Sequence, residues 1–287
     1  MNPAHHAYRG RMSKTNELGA FLRARRDLVR PEEAGLPAGA RRRVPGLRRE
    51  EVAQLAGISS EYYLRLEQGR DQHPSPQVLD ALARALGLAG EAADYLHALA
   101  RPAQGRAGRG RRERVPDGIR QFVMSRTDLP ALVLGRYQDV LVANPLALAL
   151  SPANAPGVNV LRAAFLDPEV KALYEDDWDY LIGGAVAALR ALAGPETRDP
   201  HLAELVGDLS VRSHEFRRLW ARHDVRPRTS GTALVKHPQV GPMRLNYEKL
   251  TVTGSDGLLL VLWHAPPGSQ EAESLSLLAH LAAEPGE

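Results

Sequence analysis

Cysteine is absent from the chain. Disulfide staples, thiolate metal sites and a cysteine nucleophile are therefore excluded, and this usage fits a reducing compartment. No segment approaches the roughly 18 uninterrupted apolar residues of a membrane span. The opening "MNPAHHAYRGRMSK" has no apolar core of the kind a secretory signal needs, so the sequence reads as soluble and cytoplasmic. Catalytic signatures are missing as well. The ten histidines are dispersed with no HExxH, and His214 beside Glu215 is an adjacent pair rather than two histidines one helical turn apart. Neither a P-loop nor GxSxG occurs, and "GRAGRG" lacks the strand before it and the helix after it that a dinucleotide site requires. The expectation is a protein that is not an enzyme and carries no metal or cofactor. There is no internal repeat.

At 287 residues the chain is long enough for two domains. Its net charge of +3 is unevenly spread. Residues 1–114 hold 21 Lys and Arg against 13 Asp and Glu, and the remainder holds 16 against 21. The first part is thus suited to a polyanion and the second to another task.

Residues 1–15 are polar and aperiodic, and are expected to form a flexible N-terminus. From Asn16, Leu18, Phe21, Leu22, Arg25 and Val29 follow helical spacing, with Arg23, Arg26 and Arg30 placed opposite. "RPEEAGLPAGARRRVPG" reads as a loop. A second helix over about 47–56 ends at Gly57, and a third over about 59–68 has Ser59 as N-cap and Gly69 as stop. A fourth opens at Ser75-Pro76, and a fifth covers about 91–100. "RPAQGRAGRGRRER" (101–114) is a basic linker. Beyond it, "PALVLGRYQDVLVANP" predicts a hairpin, Asn144-Pro145, Asp167-Pro168 and Asp199-Pro200 cap helices, and three strands precede a last helix. In "PMRLNYEKLTVTG" the apolar parity shifts near Glu248, which predicts a bulge there.

Two short helices joined through a three-residue turn make a helix-turn-helix whose second helix can enter the DNA major groove. Val52, Leu55, Ile58, Tyr63 and Leu66 fall where they would close a small core. Ser59, Ser60, Glu61, Tyr62 and Arg65 are then left outward to face bases. Glutamate can accept from cytosine and arginine can bond guanine. Arg48 and Arg49 at the start of the second helix, with Arg70 after the third, are phosphate candidates, as are Arg41, Arg42 and Arg43 in the loop. That loop could track the backbone or place an arginine in the minor groove, and the alternatives stay open. Tyr62 is balanced between phosphate contact and packing. Glu67 is expected to bond backbone amides or an arginine rather than a base.

The run from "LGAFLRARR" through "GLPAGARRRVPGLRREEVAQLAGISSEYYLRLEQGR" to "PSPQVLDALARALGL" resembles the phage-repressor-like (XRE-type) helix-turn-helix regulators. Within them it is most similar to the MmyB-like branch, with its long arginine-rich loop. "LDPEVKALY", "FRRLWARHDV", "HPQVGPMRLNYEKL" and "LLLVLWHAPPGSQEAESLSLLAHL" are similar to the ligand-binding domain of that branch. The resemblance implies a multidomain chain, in which an all-α five-helix lambda-repressor-like domain (16–100) is followed by an α+β PAS-like domain (115–287). It also implies a bacterial-type transcription regulator that binds a palindromic double-stranded DNA operator as a homodimer and answers to a small, fatty-acid-like effector. Aromatics such as Phe165, Trp178 and Trp220 serve as core or as pocket wall. Asn144, Arg162, Arg212, His223 and His237 complete the ligand-pocket candidates, the last four as anchors for a carboxylate or similar head group. Ala143 stands before Asn144 where relatives often carry an aromatic residue. The rival expectation is a ligand-independent DNA-binding protein whose second domain only dimerises or docks a partner.

Overall fold

The computed structural model describes residues 16–37, 42, 44–101, 113–193, 199–225, 228–255 and 257–283. The expected flexible N-terminus, most of the basic linker, and Arg41 and Arg43 lie outside them. The chain divides into two compact units, 1–88 and 89–287.

Four helices build the first unit: α1 (Glu17–Leu28), α2 (Arg49–Ala56), α3 (Ser60–Glu67) and α4 (Pro76–Ala85). Each start is fixed by a side chain or by charge. Asn16 caps α1 by accepting from the Gly19 amide, Ser59 caps α3 by accepting from the Tyr62 amide, and Ser75 caps α4, with Pro76 at the first helical position. The Glu51 carboxylate accepts from the Arg48 amide at 2.7 Å and serves α2 in the same way. Gly57 takes φ = 66°, a left-handed conformation that lets α2 stop and α3 begin after only Ile58 and Ser59. The core holds Leu18, Phe21, Leu22, Leu47, Val52, Tyr63, Leu66, Leu79 and Leu82.

Two sequence expectations for this unit are corrected. Arg26, expected on the outer side of α1, is 7% exposed. It lies one turn beyond Leu22 on the inward stripe and is tolerated there because Glu67 meets it. Leu55, expected in the core, is 38% exposed. Val52, Ala53 and Ala56 form the buried face of α2 instead.

The second unit begins with α5 (Glu91–Ala100) and α6 (Asp117–Ser125). Then follow β1 (Ala131–Leu134), β2 (Val140–Ala143), α7 (Pro145–Leu150), α8 (Val160–Leu166), α9 (Pro168–Leu173), α10 (Trp178–Ala193), α11 (Pro200–Arg212) and α12 (His214–Ala221). β3 (Ser230–His237), β4 (Gly241–Thr251), β5 (Leu259–His264) and α13 (Gln270–Ala283) complete it. The strands form one antiparallel sheet in the order β2-β1-β5-β4-β3, giving the α+β PAS-like layout. On one sheet face, Ala131, Val133, Val142 and Leu260 pack with Val115, Ile119 and Val123, the last two from α6. On the other, Leu132, Leu134, Val140, Leu259 and Val261 pack with Ala147 of α7 and Val160 of α8. Farther along that second face, Val235, Met243 and Leu245 pack with Leu146, Leu150, Leu275 and Leu278 of α7 and α13. A separate cluster of Leu161, Val186, Leu189, Leu205, Leu209 and Phe216 joins α8, α10, α11 and α12.

The bulge expected near Glu248 is not there. β4 pairs without a register break with β3 from Gly241 to Glu248 and with β5 from Asn246 to Thr251. The parity shift arises because the strand holds its register past the core, leaving Leu250 half-exposed on one face and turning Lys249 to the other, beside Tyr247. The irregularity in the sheet lies between β1 and β2, at Val133/Leu134. Strand β3 is an edge, and in the turn before α10 the Asp177 carboxylate accepts from the Leu234 amide at 2.7 Å.

Candidate functional site

In the first unit, the position of α3 is set by a buried carboxylate at its C-terminal end. Glu67 is 1% exposed. One of its oxygens accepts from Arg26 Nε at 2.6 Å and the other from Arg49 Nε at 2.7 Å. Arg26 also donates to the Leu47 carbonyl at 2.9 Å. Burial by itself would raise the Glu67 carboxyl, but the hydrogen bonds and charges of Arg26 and Arg49 outweigh it and hold the group below its ordinary 4.5. The Asn16 amide, which caps α1, also donates to the Glu67 carbonyl at 2.7 Å. A methyl at Gly19 would collide with that same carbonyl, so α1 and α3 approach closely only because the residue is glycine.

With its inner side held this way, α3 turns Ser60 and Glu61 to solvent, with Tyr62 and Arg65 half-buried. Arg65 Nη1 lies 3.4 Å from Glu61 Oε1, and its guanidinium stands 5.5 Å from the Tyr62 ring centroid. An exposed pair of this kind is worth little in water. Ser59 is exposed but its hydroxyl is engaged as the N-cap. Arg48 and Arg70 are exposed. Arg49 is partly exposed, with one nitrogen committed to Glu67. Arg42 is clamped by Glu51 at 2.8 and 2.7 Å and also donates to the Gly46 carbonyl, which ties the long loop to α2.

The ligand-pocket candidates of the second unit fall into separate groups. Phe165, Trp178 and Trp220 are brought together through Phe216, with centroid separations of 5.7, 5.3 and 5.7 Å along the chain Trp178–Phe165–Phe216–Trp220. Arg162 and Arg212 converge on Asp208, at 2.5 and 3.8 Å. His223 takes a left-handed φ of 52° after α12. His237 stands apart, donating to the Ala149 carbonyl at 2.9 Å and accepting from the Gln239 amide at 3.3 Å. Asn144 is fully buried and uses its whole amide. Its oxygen accepts from Ala131 and Ala147, and its nitrogen donates to the carbonyls of Arg126 and Leu129. It thereby joins the start of β1 to α7.

Sequence reasoning passed over a third group, formed by Tyr180, Arg228, Tyr247 and Lys249. The Arg228 guanidinium lies 3.4 Å from the centroid of the Tyr180 ring and donates to the Tyr180 carbonyl at 2.6 Å. Lys249 Nζ stands 5.3 Å from the Tyr247 ring centroid. Its signal in the sequence was a lysine at an inward parity position of β4. Among the described residues no group of three or more His, Asp or Glu is placed to hold a metal ion, and no helix is long and apolar enough to cross a membrane.

Two family models match the chain. The model of a helix-turn-helix domain covers residues 17–96, and that of the MmyB-like transcription regulator ligand-binding domain covers residues 115–278. No curated protein matches. A helix-turn-helix domain followed by this α+β domain identifies a DNA-binding transcription regulator with a ligand-binding domain, and the chain belongs to the MmyB-like transcription regulators.

Proposed function

We propose that the protein reads a specific operator through Ser60, Glu61, Tyr62 and Arg65, with Ser59 at the helix start. Arg48, Arg49 and Arg70 lie along phosphates, together with the arginines of the 41–43 loop. The observation that carries this reading is the polar, outward side of α3 above the buried Glu67 and Arg26, to which the partly exposed Arg49 is joined. A rigid helix with its inner charges neutralised can present a fixed set of hydrogen-bonding groups to the major groove. A palindromic operator read by a homodimer follows from the geometry of such modules, with half-sites about one helical turn, or a multiple of it, apart.

The second unit is proposed to bind a small ligand of apolar, fatty-acid-like character. Such a ligand changes DNA affinity only through unequal affinity for two arrangements of the dimer. Selection of bound sequences from a random duplex pool, with and without added lipid extract, tests both halves of the proposal. An enriched two-fold symmetric sequence whose yield changes with extract is expected. A pool without consensus removes the operator reading, and a consensus indifferent to every extract leaves a constitutive DNA-binding protein.

A further inference from the structure

Just ahead of α6 the chain is held at two points of the second unit. Val115 is buried with Val123, Val133 and Leu260 on one face of the sheet. Glu113, half-buried, reaches with its side chain to the turn between β1 and β2, where one carboxylate oxygen accepts from the Arg136 amide at 2.7 Å. Among the described residues, Glu113 and Arg114 form no hydrogen bond between main-chain groups, so the Glu113 side chain alone fixes its point. The seat is shaped for it. A methyl at Gly135 would collide with the second carboxylate oxygen, so any other residue there fills the place.

The turn that offers this seat is tied to the helices on its far side. The Gly135 amide donates to the Asp139 carbonyl at 2.8 Å, and Asn159, the cap of α8, donates to the Tyr137 carbonyl at 2.7 Å. The Tyr137 hydroxyl donates to Asp199, the cap of α11, at 2.7 Å, and its ring belongs to the buried cluster of Leu161, Leu209 and Phe216. The amide that holds Glu113 is therefore one residue away from a ring seated among α8, α11 and α12. A repacking of those helices moves the seat.

Charge works against seating. Burial is the largest influence on the Glu113 carboxyl, and with the charge of Asp139 it raises the group above its ordinary 4.5, against the opposing Arg136 amide, His201 and Arg136 guanidinium. The charged groups facing it are thus Arg136 and Asp139 from the turn and His201 from α11, whose ring stands 3.3 Å from Asp139. A carboxyl raised in its seat is seated more firmly when protonated, so the seat weakens as pH climbs above 4.5 through the raised value.

We propose that Glu113 is a latch, which on Gly135 and Arg136 ties the end of the linker to the Tyr137 turn, and whose release when that turn moves lowers DNA affinity. A looser tether lowers the effective concentration at which the second reading helix of a dimer is offered to the duplex. That consequence rests on the homodimer reading above, whereas the seat itself does not.

The test is amide exchange of the full chain over residues 132–139, from about pH 5 to about pH 8 and corrected for the intrinsic rate, on the wild type, Glu113→Gln, Gly135→Ala and His201→Gln. Melting curves verify folding. Wild-type protection at Arg136 should fall several-fold as pH rises. Glu113→Gln, whose amide oxygen accepts the same bond without charge, should stay protected across the range. Gly135→Ala should lose protection by about ten-fold at every pH, the worth of one hydrogen bond. Equal protection in folded Gly135→Ala and wild type, or a pH trend that persists in Glu113→Gln or vanishes in His201→Gln, overturns the latch and leaves the homodimer reading standing. Binding to a mixed-sequence duplex at low ionic strength reads the consequence: Gly135→Ala should bind about three-fold more weakly than Glu113→Gln. Equal affinities overturn the regulatory role, and no binding by any variant or the wild type overturns it together with the DNA reading.

Discussion

In the N-terminal unit the buried Glu67 carboxylate receives two guanidinium groups, Arg26 at 2.6 Å and Arg49 at 2.7 Å. In the C-terminal unit Lys249 and Arg228 meet with no carboxylate paired to either among the described residues, and the ammonium is pushed down to about 8. The first arrangement closes its charge balance within the fold, so α3 is held in one position and needs nothing further to present its outer side. The second has no such partner, and burial with the charge of Arg228 lowers the Lys249 ammonium instead. A buried ion pair that closes holds the elements around it in place, whereas two like charges brought together do not, and the two units differ accordingly.

The largest expected effect comes from opening the closed network. Glu67→Ala leaves Arg26 buried without its partner and should cost about 3 to 5 kcal/mol in the first unit. Urea unfolding followed by amide exchange in α1 and α3 measures it, and a loss under about 1 kcal/mol would show that water replaces the carboxylate and that the network is open after all. The opposite experiment relieves the unbalanced pair. Lys249→Met should stabilise the ligand-free protein by about 2 kcal/mol, below the full conversion of the shift because the side chain is partly solvated. A lowered melting temperature would deny the contrast.

DNA affinity sharpens the comparison further. Arg65→Ala should cost about 1 to 3 kcal/mol at one operator position and leave the others unchanged, as read by binding to a set of single-base variants. Arg48→Ala and Arg70→Ala should each flatten the salt dependence by about one unit of slope with no change in sequence preference. Acid and base separate the units last. Glu67, held below 4.5, contributes stability that is present above that value and lost as pH falls beneath it. Lys249 has the same sign at the alkaline end: its folded value is depressed, so stability is gained as pH rises from about 8 toward 10.5 and is absent below 8. Melting curves across both windows should show the first unit failing in acid and the second firming in base.

Much of this was legible from the chain alone. The caps at Ser59, Ser75 and Asn144, the glycine stop at Gly57 and the five strands are local signals, set by residues a few positions apart, and they stand where the sequence puts them. Arg26 departs from expectation because its charge argues for the outer side, and nothing local shows that a carboxylate 41 residues away will meet it inside. Lys249 left a trace, a parity shift near Glu248, which also fits a bulge; only the pairing with Val261 shows that the strand keeps its register and turns a lysine inward. The meeting of Arg228 with Tyr180 joins segments 48 residues apart, and no periodicity reports it.

The carboxylate of Asp177 on the Leu234 amide has a wider effect. It occupies a main-chain donor on the outermost strand, and Lys236 further along adds a charged side chain to the same border. A second strand seeking to extend the sheet from that side finds this donor already taken, which makes the β3 border a poorer template for strand addition.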